Sequence, residues 1–312
     1  MILNKSICTS DTGNTLKGVK RKNTKKRMPN IERNKIKDKI FNVWGIISTL
    51  IGLILLALFI GYIINKGFTR IDWEFITSLP SRRAAKTGIY TALLGSVWVL
   101  FLTTLISVPI GVGAGIYLEE YNKKNWLSSM LEINIANLAG VPSIVYGLLG
   151  LEVFGRILGF GGSLLTGSLT LSLLVLPIVI VSTREAIKAV PGSIKDASMA
   201  MGASKWQTIW YQVLPASIGG ILTGVILAIS RAVGETAPLI VIGALAYVPF
   251  APKTPMDEFS VLPIQIYNWV SRPQKEFIVN AAAAIIILLL ITFLMNAIAV
   301  YFRNKWQKKI KW

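Results

Sequence analysis

The stretch SIGGILTGVILAISRAVGETAPLIVIGALA, residues 217–246, decides how the rest of the chain is read. It is apolar and long enough for a helix to cross a ~30 Å hydrocarbon core, which takes about 20 residues. Yet Arg231 and Glu235 stand in it four residues apart, and Pro238 follows three residues later. An arginine near the bilayer centre costs roughly 2.5–3.5 kcal/mol on insertion scales. Facing lipid, the pair is hard to justify; facing a protein interior or a wet cavity, the two charges partly offset each other. Counted from Ser217 at ~1.5 Å per residue, Arg231 lies about 21 Å along the helix, and Glu235 one turn further on the same face. Pro238 has no N–H, so the carbonyl of Gly234 loses its helical partner and a kink is expected between the two charges. Gly234 also lets another group approach closely. Two readings stay open. The pair is a structural salt bridge, or Arg231 offers bidentate hydrogen bonds to a passing oxyanion while Glu235 holds it and prevents permanent capture.

Composition agrees with a membrane setting. Hydrophobic residues make up 53% of the 312-residue chain and charged residues only 15%, against about 25% charged in soluble domains. The formal charge of +18 would suggest nucleic acid in a soluble protein. Here 12 of the Lys/Arg residues fall in residues 1–40, against 3 acids, which reads as a solvated, disordered cytoplasmic tail and not as a nucleic-acid surface. Cys8 is the lone cysteine and histidine is absent. No intrachain disulfide, Cys/His metal cluster or Ser/His/acid triad is therefore available, and an enzyme is not expected. No cleavable leader is evident, so the first apolar run should remain as an anchor.

Six apolar segments are expected to span, near 41–64, 88–118, 131–151, 167–183, 217–246 and 279–302. The third is the least regular, with polar residues and a proline, and the fourth is short. Nine Lys/Arg precede the first span within 20 residues, against 5 in the loop after it, so the N-terminus is placed inside. With six spans the C-terminal tail, residues 303–312, is inside as well. A cysteine at Ser260 is then expected to be reachable from outside, and one at Ser204 not. Gly111 to Gly115 and Gly220 to Gly224 both have the Gly-xxx-Gly spacing that lets helices pack closely.

Residues 184–216, between spans four and five, are too helical in pattern for a slack connector. SIKDASMAMGASKWQTIWYQVL has apolar and aromatic residues at helical spacing and is broken by Gly202. It reads as two short helices joined by a turn, either resting on membrane lipid or docking a soluble partner. This loop resembles that of ATP-binding-cassette (ABC) importer permeases, whose pattern is Glu-Ala-Ala, three residues, Gly, nine residues, Ile-x-Leu-Pro. The chain has Asp196, Ala197 and Ser198, then Gly202 followed by Ala203, then Gln212, Val213, Leu214 and Pro215 at the same spacing. Asp196, Ser198 and Gln212 depart from the pattern. With GETAPLI at 234–240, the region from about 182 to 242 resembles the PstA family of phosphate importer permeases.

That resemblance implies an all-α integral membrane protein of the type I ABC importer fold: an anchor helix at 41–64, a permease domain at 88–302 and a coupling loop at 184–216. It implies transport in the plasma membrane with both termini cytoplasmic, and half of a pathway for inorganic phosphate. The expected partners are a PstC-like permease in a heterodimer, an ATPase subunit dimer that binds the ATP, and an extracytoplasmic phosphate-binding protein. Asp196, Ala197, Gly202, Ala203, Leu214 and Pro215 are expected to couple to the ATPase. Arg231, Glu235, Gly234, Pro238 and Arg184 are the candidates for the substrate pathway, Arg184 also being a candidate positive-inside anchor. No cofactor is expected in the chain, because no Gly-x-x-x-x-Gly-Lys-Ser/Thr phosphate loop is present. Another oxyanion importer, the PstC-type subunit, and a secondary anion transporter or channel remain the alternatives.

Overall fold

The computed structural model describes residues 29–122, 126–244 and 247–307. Most of the basic N-terminal tail and residues 308–312 of the second tail lie outside the described residues. The chain divides into two compact units, residues 1–59 and 60–312. The first contributes most of α1 (Pro29–Gly67), in which every side chain from Phe41 to Leu58 is exposed. A helix that is apolar on all sides and uncovered suits lipid.

The second unit continues with α2 (Trp73–Thr77) and α3 (Tyr90–Ile116), which runs on through a π-helical turn, Tyr117–Tyr121. Then come α4 (Trp126–Leu138) and α5 (Ser143–Gly150), the latter widened over Leu151–Ile157, and α6 (Leu164–Lys188). After α7 (Gly192–Ala200), α8 (Lys205–Thr208) passes through a wide turn, Ile209–Val213, into α9 (Leu214–Gly234). The chain closes with α10 (Ala237–Ile242), α11 (Leu262–Val270) and α12 (Glu276–Gln307). Among the described residues, five helical stretches are long and apolar enough to cross a membrane, and the α4–α5 pair, bent by 100°, supplies a sixth if it is one span.

The elements differ from expectation in five places. Helix α1 begins at Pro29, inside the 1–40 tail expected to be disordered. The fourth span is not short: α6 runs 25 residues and carries Arg184 inside it. The third is broken between Leu138 and Ser143, where Gly140 and Pro142 cannot sustain a helix. The second helix of the 184–216 loop is not separate but forms one 30-residue helix with span five, Lys205–Gly234. That span ends twelve residues before 246, because Pro238 can neither donate to the Gly234 carbonyl nor clear it sterically.

Helix α6 is the centre of the bundle. A Cβ on Gly111 or Gly115 of α3 would lie 2.7 Å from side-chain atoms of Val179 or Thr183. On the other flank, a Cβ on Gly220 would meet Ala186 at 2.6 Å, and one on Gly224 would meet Ser182 at 1.8 Å. Both Gly-xxx-Gly pairs thus press α3 and α9 against α6. Small polar residues add hydrogen bonds across α3 and α6: Thr103 Oγ1 donates to Ser168 O and Ser172 Oγ to Thr103 O, each at 3.3 Å. In membranes such bonds average about 0.6 kcal/mol each, so packing carries most of the association.

At the end of the bundle away from α7, Phe75, Trp269 and Phe277 form a buried aromatic cluster with Ile89 and Leu262. There the loop after α10 folds over the start of α6. Leu164 N–H donates to Asp257 O at 3.0 Å and Leu165 N–H to Pro255 O at 2.8 Å. The Asp257 carboxylate accepts from the hydroxyl and N–H of Thr254 and from the N–H of Lys253. These bonds hold its pKa below the usual carboxylate value. What they contribute is therefore present at neutral pH and is lost only as acid protonates the group.

Candidate functional site

Two broken helices meet at the site. Helix α9 stops at Gly234, and Glu235 adopts extended backbone with ψ 119°. Thr236 precedes α10, which closes at Gly243 in the left-handed region. The break is complete, where the sequence suggested a kink. The Gly234 carbonyl receives only a long bond from Thr236 Oγ1, 3.4 Å. The second break, before α5, lies alongside: a Cβ on Gly147 would stand 2.8 Å from Pro238 Cα. Gly147 thus allows α5 to rest on the first turn of α10.

Arg231 and Glu235 remain paired across the break. Arg231 Nε donates to Glu235 Oε1 at 3.2 Å, with the arginine side chain 37% exposed and the glutamate 17%. Among the described residues, the terminal Nη atoms of Arg231 donate to no partner, which leaves a planar donor edge open. Tyr146 of α5 lies within electrostatic reach of the guanidinium. Its hydroxyl donates to Leu138 O at 2.8 Å, spanning the bend between α4 and α5. Ser230, next to Arg231, donates to Asn296 Oδ1 of α12 at 2.7 Å. Tyr146 and Gly147 were not legible as site residues. The one sequence signal was the Gly-Val-Pro run at 140–142, which marks a helix break.

Arg184 lies elsewhere. It is 19% exposed at the α7 end, 3.5 Å from Glu119 beyond α3 and 3.1 Å from Glu132 of α4. It ties three elements together and is not brought to Arg231.

Between α6 and α9, the turn at Gly202 has φ +89°, a conformation that glycine adopts without a Cβ penalty. Ser204 caps the next helix and forms a capping box with Gln207. Ser198 and Thr208 hydroxyls are 3.0 Å apart and join the two arms. Asp196, Ala197, Met199 and Met201 are exposed along α7 and its end, Met201 to 89%. Ala203 and Leu214 are half-buried, and Pro215 is exposed within the first turn of α9.

Residues 107–308 match the family described as binding-protein-dependent transport system inner membrane component. A probable ABC transporter permease protein, YqgI of Bacillus subtilis, is 34% identical over 84% of this chain and 94% of its own length. The phosphate transport system permease protein PstA of Yersinia pestis is 34% identical over 84% of this chain and 88% of its own. Among solved structures, a chain of a bacterial alginate ABC transporter aligns with TM-score 0.64 at 14% identity, covering 88% of this chain and 96% of that one. A chain of the MetNI methionine ABC transporter aligns with TM-score 0.57 at 16% identity, covering 70% and 97%. At such identities these two speak for the fold alone, which is that of type I ABC importer permeases. The match over nearly two-thirds of the chain, taken with the bundle around α6, makes this chain a member of the binding-protein-dependent transport system inner membrane component family, a multi-pass permease subunit of an ABC importer.

Proposed function

We propose that this permease forms half of an import pathway for inorganic phosphate, as a heterodimer with a PstC-like subunit. The observation that carries the reading is the open Nη edge of Arg231 at the break between α9 and α10. A guanidinium held on one side by a carboxylate and free on the other can accept a tetrahedral oxyanion bidentately and release it again. Pro238 and Gly234 make the break, and relatives named as phosphate permeases make phosphate the favoured anion. On this reading the exposed face of α7, with Asp196, Ala197 and Gly202, docks an ATPase dimer that binds the ATP. Ala203, Leu214 and Pro215 pass the motion into α9. A phosphate-binding protein delivers substrate at the opposite end. Arg184 serves the α7 end and not the anion.

In a strain lacking this chain, restoring it should restore uptake of radiolabelled phosphate and leave sulfate uptake unchanged. Recovery of sulfate uptake instead would sink phosphate as the substrate.

Orientation follows from the same reading: both termini and α7 are cytoplasmic. Ser260, the outside position suggested by sequence, is 1% exposed and cannot report; Met256 in the same loop is 55% exposed. In intact cells, Met256→Cys should react with an impermeant thiol reagent and Ser204→Cys should not. The opposite pattern would invert the topology.

A further inference from the structure

Two consecutive acids, Glu119 and Glu120, sit in the π-helical turn beyond α3. Adjacent residues of a helix face different neighbours, and these two do. Glu119 meets Arg184 of α6. Glu120 meets Lys195 of α7 in a close ion pair whose side chains are 10% and 22% exposed. Lys205, on the far side of the Gly202 turn, donates its ammonium to the backbone carbonyl of Glu120. That ammonium stands 4.9 Å from the centroid of the Tyr121 ring. Both arms of the α7–α8 corner are therefore fastened to one residue at the end of α3. Among the described residues, α7 is otherwise held by the Pro191 and Gly202 connections, by the Ser198–Thr208 contact and by a small apolar cluster of Ile187, Val190 and Val213 with Ile194, Ala216 and, from the last turn of α3, Ile116, a non-directional contact that leaves the Glu120 bonds as the polar link to α3.

We propose that Glu120 is the positioning residue of the docking helix: its clasp on Lys195 and Lys205 makes α7 move with α3 as well as with α9. The consequence for transport rests on the reading that α7 meets the ATPase. Force arriving at α7 then enters the bundle on both flanks of α6. A half-buried ion pair suits this role, because removing one partner leaves a charge poorly solvated and frees the helix. A surface pair would contribute too little to hold it.

The clasp is testable first in the full-length permease alone, in detergent, with Cys8→Ser and a spin label at Met199→Cys on the exposed side of α7. Glu120→Gln removes the ion pair to Lys195, while the Lys205 bond to the main-chain carbonyl stays, and should make the label, which sits on the Lys195 arm, several-fold more mobile. The exchanged pair Glu120→Lys/Lys195→Glu should return it to near the original mobility. Unchanged mobility in Glu120→Gln, or no recovery in the exchanged pair, overturns the clasp whatever the ATPase does. The second readout is ATP hydrolysed per phosphate imported, in proteoliposomes of the complete importer. This ratio should rise about fivefold or more in Glu120→Gln and fall back in the exchanged pair. A merely structural role would lower the amount of complex and leave the ratio unchanged, which overturns the coupling role. Failure of the ATPase to copurify with the unaltered permease would instead fault the docking reading, while the label mobility still decides the clasp.

Discussion

Arg231→Gln should reduce phosphate uptake by about 10- to 100-fold, the loss expected when a charge-assisted hydrogen bond worth roughly 1.5–3 kcal/mol disappears. The substitution keeps a polar side chain of similar reach but removes the charge and the fork of donors. It also strands Glu235, whose carboxylate is 17% exposed and bonded to Arg231 Nε at 3.2 Å. An unpaired, half-buried carboxylate lowers assembly as well, so uptake by the single variant cannot separate the two roles. The pair Arg231→Gln/Glu235→Gln can, since both charges go together. Copurification with the ATPase should recover in the pair, and radiolabelled uptake should stay low. Full uptake by the pair would show that the substrate needs neither charge, and Arg231 would then be only a strut across the break.

The second large effect is expected at Gly202. Gly202→Asp places an L side chain at φ +89°, at a cost of about 1–3 kcal/mol. It also adds a carboxylate to the exposed tip of the α7–α8 corner. Adjoining residues apart, no described atom lies within 4 Å of where its Cβ would go, so the fold itself has room. The variant should reach the membrane in normal amount and lose ATP-driven uptake almost completely. Asn matches Asp in size and in its tolerance of left-handed backbone but carries no charge, so Gly202→Asn should retain a measurable fraction. Normal uptake by Gly202→Asp would mean that this corner is not where the ATPase couples. Equal loss in Asn and Asp would assign the effect to bulk and backbone, not charge.

The spans were legible wherever periodic hydrophobicity and length act alone. α3 and α12 follow from apolar runs of sufficient length, α6 was read too short because its last turns carry Arg184, Glu185 and Lys188, and Gly202 marks the corner because glycine relieves positive φ. The breaks were half legible. Pro238 announced a disturbance, but whether a proline bends a helix or ends it depends on what receives the freed carbonyl. Here the chain unwinds at Glu235 because α5 occupies the space beside α10. The break between α4 and α5 is set locally by Gly140 and Pro142, but its 100° bend goes with a contact 91 residues away in sequence, Gly147 on Pro238. Arg231 and Glu235 declared themselves through the cost of charge in an apolar run. Tyr146 did not, since a tyrosine among Val, Gly and Leu is ordinary in a membrane helix. The partners of Arg184 were hidden for the same reason: Glu119 and Glu132 are distant in sequence and look like ordinary loop and helix acids.

The glycine contacts on both flanks of α6 limit how this subunit can change shape. With Gly111 and Gly115 on one side and Gly220 and Gly224 on the other pressed against it, α3, α6 and α9 cannot slide past one another without dragging glycine backbone over the side chains of Val179, Thr183, Ser182 and Ala186. Close-packed interiors resist such shear, so motion is concentrated where packing is interrupted. The three helices then turn together as one stiff plate. The unwound residues 235–236 and 139–142 are left as the interruptions at its margin, and the Arg231–Glu235 pair reaches across the first of them. An alternating pathway built on this plate would open and shut along those breaks, so that Glu235, which leaves the helix while still paired to Arg231, also lies on its hinge line.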